Sequence, residues 1–265
     1  MTFLTMKNPL HAKLAADKKP TYGAWVTLED PTVTEAVVDL GVDWIVVDME
    51  HGSLSYKDVV AHARAARGSN VAVLARLPAT TIDSVKRGLD LGIDGVLLPL
   101  IRSAAELEEG MRFARYPDRG VRGVGGERAV HWGLRLHDYL DIANRETMVI
   151  PLIETRGASE DIEAIVKVEG LEAIFFGPAD LSASFGHLGR WEGPGVAEDI
   201  IRITNIAAQH NVAAGVIGWD EADMERRAAQ GFRMIGLGSD IGFMTKTVKA
   251  LLGRYKGMTY STRWF

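Results

Sequence analysis

The chain contains no cysteine. That excludes a disulfide scaffold, a Cys-ligated zinc or iron–sulfur site and a Cys nucleophile. It fits a reducing compartment. No apolar run approaches the twenty residues that a membrane helix needs, and no apolar signal region follows Met1. Neither membrane insertion nor secretion is expected, and the expected location is cytoplasmic. An excess of positive charge is also missing. The 35 acidic and 30 basic side chains leave a net charge of −5 with His neutral, a poor balance for binding nucleic acid or an anionic membrane. No Ser/Gly linker or low-complexity block divides the 265 residues, so residues 1–265 read as one domain. A chain of this length buries a core without disulfides or structural metal. Its 47% hydrophobic content is that of a soluble, ordered protein.

What recurs is a unit of a short apolar, β-branched run, a turn, and an amphipathic stretch at helical spacing. The runs are 23–28 (GAWVTL), 44–48 (WIVVD), 71–76 (VAVLAR), 95–98 (GVLL), 148–154 (MVIPLIE), 173–176 (AIFF), 213–217 (AAGVI) and 234–237 (MIGL). Helices are expected over 31–40, 56–68, 81–91, 103–115, 157–168, 196–209, 220–230 and 241–255. Short helices are expected near the N-terminus and over 139–146, and residues 256–265 read as a tail. Eight strands alternating with eight helices indicate an α/β fold of the (β/α)₈ TIM-barrel type. Continuous apolar runs suit parallel strands buried on both faces. A doubly wound sheet would need a Gly-rich turn after the first strand, and GAWVTLEDP has none.

In such a barrel chemistry sits where the strands end. The second run closes on Asp48, Glu50 and His51, the third on Arg76, and the fifth on Glu154. The sixth runs into Gly177, Pro178, Ala179 and Asp180, whereas the last two close without charge. Glu154 and Asp180 lie at the mouths of neighbouring strands. Two carboxylates placed so require a proton or a cation. With waters and a substrate completing the shell, they suit Mg²⁺ or Mn²⁺; the plainer reading is two acids capping helices. Histidine as a residue type is suited to proton transfer, and His51 stands beside the proposed cation. Asp48, Glu50 and Asp90 are the candidates to orient it. Arg76 offers a planar fork for a carboxylate or enolate oxygen, or for a salt bridge to Glu50 or Asp90. The turn 177–180 presents the N–H groups of Ala179 and Asp180 to a carboxylate, or is an ordinary strand-to-helix turn.

The polar segment 119–136 reads as a substrate-proximal or subunit-contact loop. Its Gly-Val-Gly-Gly follows a helix, so it is not a dinucleotide fingerprint, and no organic cofactor is expected. No lysine falls within a barrel strand. Schiff-base chemistry is therefore excluded, and carbonyl chemistry here would use a metal as its electron sink.

VDMEHG, Arg76, GLDLG around Asp90, YPDRGVRGVGG, IETRGA and FFGPADLS occur in that order. Together they resemble the metal-dependent pyruvate aldolases of the hydroxy-oxo-heptanedioate (HpcH/HpaI-type) family, which also includes 2-dehydro-3-deoxyglucarate and rhamnonate aldolases. The likeness spans roughly residues 23–249. It implies a (β/α)₈ barrel, a homo-hexamer with the C-terminal helix swapped onto a neighbour, and a divalent metal (Mg²⁺, Mn²⁺ or Co²⁺) held by Glu154 and Asp180. It further implies that Arg76 contacts the pyruvyl oxygens and that His51 is catalytic with Asp90 as its acidic partner. Residues Gly177 to Asp180 would bind the carboxylate, and Trp25 would form a pocket wall. Many family members carry Gln two residues before the metal-ligand Glu, where this chain has Leu152, so a polar contact beside the metal is lost. The tail 258–265 falls outside the likeness and reads as a tether on a neighbouring subunit or as a disordered end.

The implied reaction is reversible aldol cleavage of a 4-hydroxy-2-oxo acid to pyruvate, or hydroxypyruvate, and an aldehyde. One alternative is an acyl-CoA lyase of the citrate lyase β or malyl-CoA type, although no basic C-terminal region for the CoA phosphates is present. The other is a non-catalytic barrel that binds a 2-oxo acid, which would not need the proton-transfer set.

Overall fold

The computed structural model describes residues 7–16 and 19–260. The chain runs α1 (Pro9–Ala16), β1 (Thr21–Val26), α2 (Pro31–Asp39), β2 (Trp44–Asp48), α3 (Tyr56–Ala65), β3 (Ala72–Arg76), α4 (Ile82–Asp90) and β4 (Gly95–Leu98). It continues through α5 (Ala104–Ala114), a 3₁₀ turn (Arg128–Val130), α6 (Leu136–Glu146), β5 (Met148–Ile153), α7 (Arg156–Glu160) and α8 (Ile162–Ile165). The last elements are β6 (Ala173–Phe176), α9 (Pro178–Ser184), α10 (Val196–Gln209), β7 (Ala213–Ile217), α11 (Glu221–Ala229), β8 (Met234–Ser239) and α12 (Asp240–Lys256). All neighbouring strands are parallel, and β8 pairs with β1 to close the barrel. Among the described residues no helix is long and apolar enough to cross a membrane.

The alternation of side chains along a strand sorts the apolar residues into two shells. Ile45, Val47, Val73, Val96, Ile153 and Phe176 face outward and pack with the helices. Trp44, Val46, Leu74, Leu97, Leu152 and Phe175 face inward and fill the barrel. Leu10 and Leu14 of α1 join the inward set. Asn8 fixes that helix by donating to the carbonyls of Asp94 and Glu146. The barrel is therefore a packed plug with one end closed by α1, and the other end is left for chemistry.

Four strands have the expected bounds. The others differ for local reasons. β1 starts at Thr21, whose hydroxyl accepts from Trp44 Nε1. It stops at Val26 because the Asp240 carboxylate takes the N–H groups of Thr27 and Leu28. β8 extends to Ser239, so the last strand does run into a charge, Asp240. The helix expected over 157–168 is broken at Asp161, whose carboxylate reaches across to Ala104 N at 2.6 Å. The turn after β6 continues into α9, a short helix that the pattern did not reveal. Of the expected tail, residues 257–260 follow α12, and 261–265 lie outside the described residues.

Candidate active site

Alternation also decides which strand-end charges face the barrel axis. Trp44 and Val46 point inward, so Asp48 does too; Ala72 and Leu74 put Arg76 in the same phase, and Ile150 and Leu152 do the same for Glu154. Asp48 and Arg76 are register partners across β2 and β3. Arg76 donates to Asp48 through Nε (2.9 Å) and Nη2 (2.6 Å). Its third nitrogen, Nη1, lies 3.0 Å from Glu50 Oε2. The guanidinium centre sits 4.7 Å from the Trp25 ring centroid. Of the two salt-bridge partners expected for Arg76, Glu50 is present. Asp90 is not, because Arg122 holds it at 2.9 Å. The dominant partner is Asp48, which the sequence reading had only as a candidate to orient His51.

Glu154 is 2% exposed. It does not cap the following helix; Thr155 does, accepting from Ala158 N. One Glu154 oxygen accepts from Leu100 N at 2.7 Å. Leu100 adopts φ +55, a left-handed conformation that costs a non-glycine residue about 1–2 kcal/mol. Its side chain is 57% exposed and gains little from that conformation, whereas the bond from its N–H to a buried carboxylate does. Leu100 is thus a site residue that no sequence pattern marks. The other Glu154 oxygen faces Gly177, where a Cβ would lie only 2.5 Å away.

Burial pushes the Glu154 carboxyl up to about 7. The Leu100 N–H and Arg76 oppose that shift, while the charges of Glu50 and Asp180 add to it. Burial raises Glu50 as well, with Asp48 and Asp180 adding to it. Burial would also raise Asp48, but the hydrogen bonds and charge of Arg76, with the N–H groups of Glu50 and His51, hold it below its ordinary value. Asp48 is therefore the anion that neutralises Arg76. Glu50, Glu154 and Asp180 are left as three mutually repelling carboxylates with one shared, already committed cation.

Asp180 is exposed and stands in the first turn of α9. The first bond of that helix runs from Leu181 N to Gly177 O. The N–H groups of Ala179 and Asp180 precede it and lack intrahelical partners; Pro178 has no N–H. Trp25 and Leu152 are 5% and 1% exposed and line the interior below the charges. Trp25 Nε1 is buried without a partner among the described residues.

His51 is exposed; its backbone N–H donates to Asp48 at 3.3 Å, and its ring makes no hydrogen bond among the described residues. Asp90 ends α4, which precedes the start of β4, so it lies at the opposite end of the barrel from His51. The two are not brought together within one chain. Segment 119–136 also lies at the Asp90 end. Arg122 is buried between Tyr116 and Tyr139, whereas Val124, Trp132 and Leu134 are exposed. Contact with another subunit suits those side chains better than contact with substrate in their own barrel.

Among the described residues no group of three or more His, Asp or Glu side chains forms a ready metal cage. A cation here would take two carboxylates and leave its remaining positions to substrate and water, the arrangement Mg²⁺ and Mn²⁺ tolerate. The unneutralised trio of carboxylates fits that demand.

The HpcH/HpaI aldolase/citrate lyase family model matches residues 21–247. The chain is 34% identical over 255 residues to a hydroxypyruvate/pyruvate aldolase of Paraburkholderia phytofirmans, covering 94% of this chain and 97% of that one. It is 32% identical over 249 residues to a 5-keto-4-deoxy-D-glucarate aldolase of Shigella dysenteriae, with the same coverage. A solved HpcH/HpaI aldolase/citrate lyase family protein from Burkholderia cenocepacia superposes with a TM-score of 0.89 at 32% identity, over 94% of this chain and 99% of that one.

Proposed function

The chain belongs to the HpcH/HpaI aldolase/citrate lyase family, and on that premise we propose how its own residues carry out the chemistry. It is a carbon–carbon lyase that cleaves 4-hydroxy-2-oxo acids reversibly to pyruvate or hydroxypyruvate and an aldehyde. The observation that carries the reading is the trio Glu50, Glu154 and Asp180 around an Arg76 already clasped by Asp48.

Glu154 and Asp180 would hold a divalent cation, Mg²⁺, Mn²⁺ or Co²⁺. When bound, the cation supplies the electron sink for the enolate that carbon–carbon cleavage leaves behind. Asp48 fixes the plane of Arg76 by occupying Nε and Nη2. Nη1 is then the edge offered to the 2-oxo acid, in competition with Glu50. The free N–H groups of Ala179 and Asp180 receive the carboxylate. Trp25 and Leu152 floor the pocket and exclude water. His51, exposed at the rim, takes the proton from the 4-hydroxyl in cleavage and returns it in condensation. A His51–Asp90 pair takes two subunits, since each barrel holds them at opposite ends.

The assembly is a homo-hexamer with α12 exchanged. In support, only Asp240 and Gly242 of α12 are buried, while Phe243, Met244, Val248 and Leu251 are largely exposed. A cavity of about 550 Å³ stands open beside the helix, lined by Trp191, Trp219 and Leu237 among others. Solved proteins titled citrate lyase match at 18% identity with TM-scores of 0.60 and 0.54, a likeness of fold that does not favour an acyl-CoA substrate.

The direct test is proton–deuterium exchange at the methyl group of pyruvate, followed by NMR in D₂O. Exchange with Mn²⁺ or Mg²⁺ and none with excess chelator is the expected result. A folded, metal-loaded protein silent with both pyruvate and hydroxypyruvate would sink the aldolase chemistry placed at this site.

A further inference from the structure

A second polar cavity lies at the other end of the barrel, where β3, β4 and β5 begin. The end of α3, the 3₁₀ turn and α6 enclose about 240 Å³ there, and Lys7, Arg67, Arg128 and His131 are in its lining. Arg76, Arg122 and Arg227 pair with Asp48, Asp90 and Asp223, and the buried Arg115 donates to the Thr147 carbonyl. Here no carboxylate lies within ion-pairing distance of Lys7, Arg64, Arg67 or Arg128 among the described residues. The lining also holds two acids. Glu146 receives Asn8 N on one oxygen and Arg145 Nε on the other. Asp94 receives Val73 N at 2.7 Å.

The cations converge. Burial lowers the Arg128 pKa, and the charges of Arg64 and Arg67 lower it further, against the pull of Asp94. Burial also lowers His131, with Arg67, Arg135 and Arg128 adding to it. Their positions are held by the backbone. Arg128 Nη1 donates to the carbonyls of Leu91 and Gly92, and His131 and Trp132 both take left-handed conformations, with φ of +51 and +55. Partly desolvated like charges repel, and a bound anion relieves that repulsion.

We propose that this cavity binds a small polyanion, a phosphate or a short dicarboxylate, through Arg67, Arg128 and His131. Its volume is below the roughly 300 Å³ at which pockets for larger ligands begin, which limits the ligand to a few carbon atoms. The cavity lies at the opposite end of its own barrel from the catalytic mouth.

Calorimetric titration of the full-length protein with inorganic phosphate and, separately, with succinate tests it, at constant ionic strength against chloride. Saturable binding of at least one is expected; which one binds distinguishes the two sources of negative charge. Arg67→Gln should weaken that binding about tenfold. His131→Asn, which keeps a residue tolerant of positive φ, should weaken it in the same direction. Pyruvate-methyl exchange without added anion should match wild type in Arg67→Gln, which lies outside segment 119–136. No saturable heat with either anion, or equal affinity in wild type and both variants, overturns the proposal. So does a changed assembly mass in Arg67→Gln without anion binding by wild type, which would make the cluster a subunit contact.

Discussion

At residue 177 an added Cβ would meet Glu154 Oε2 at 2.5 Å, while the backbone there is at φ −103, open to any side chain. Gly177→Ala is therefore a purely steric probe of one carboxylate. Its fold should persist, with a loss of about 1–3 kcal/mol from overpacking. Mn²⁺ affinity, measured by titration, should fall about 10–100-fold, as when a metal ligand loses its support. Unchanged affinity would remove Glu154 from the metal site. His51 is the opposite case. It is exposed and its ring makes no hydrogen bond among the described residues, so His51→Ala should leave monomer stability within about 0.5 kcal/mol. Aldol turnover should drop about 10²–10⁴-fold while Mn²⁺ affinity is retained. An equal loss of metal affinity would contradict the proton-transfer role.

Between elements, α2 and α3 are joined by a buried hydrogen bond between Thr34 Oγ1 and His62 Nδ1, 2.8 Å long. His62 is fully buried, and burial lowers its pKa against the pull of Asp240 and Asp58. In the unfolded chain it titrates near the ordinary histidine value of about 6.5, so below that pH the unfolded state binds the extra proton first. The contribution of His62 to stability is present above pH 6.5 and is lost as the pH falls towards its lower, folded value. Urea denaturation at pH 7.5 and 5.5 should show wild type losing more stability on acidification than His62→Gln, which cannot titrate. Parallel losses in the two proteins would assign the acid sensitivity to other groups.

For the whole molecule, the barrel alone leaves a long helix with an apolar face in water. Val248 and Leu251 are about half exposed on α12, and a stable monomer rarely leaves such a patch uncovered. Light scattering should give a mass six times 28.9 kDa. A paired Val248→Asp, Leu251→Asp change should disperse the assembly into smaller species with the barrel's circular dichroism intact. It should also abolish turnover, because the proposed His51–Asp90 pair, whose members lie at opposite ends of each barrel, needs two copies. A fully active monomer would refute both the assembly and the shared site.

Much of this was legible in the sequence because it is local. Apolar runs of strand length, and the charges that close them, located Arg76, Glu154 and Asp180 before any strand was placed. The same alternation carried further information that the reading left unused: Trp44, Val46 and Asp48 share a phase, as do Ala72, Leu74 and Arg76, which makes Asp48 the inward neighbour of Arg76. Register between β2 and β3 then selected Asp48 over Glu50 as the partner that closes both sides of the fork. Other features depended on the closed barrel alone. The left-handed Leu100 is held by a carboxylate 54 positions away, and α9 forms after a turn with no helical period to announce it. Arg67, Arg128 and His131 are far apart in sequence and line one cavity only because β3 and β4 bring their flanking segments side by side. Composition and periodicity determine which way a side chain points along its own strand or helix. Which side chains meet is set by register and closure, because electrostatic and hydrogen-bonding energies depend on distances that the linear sequence does not contain.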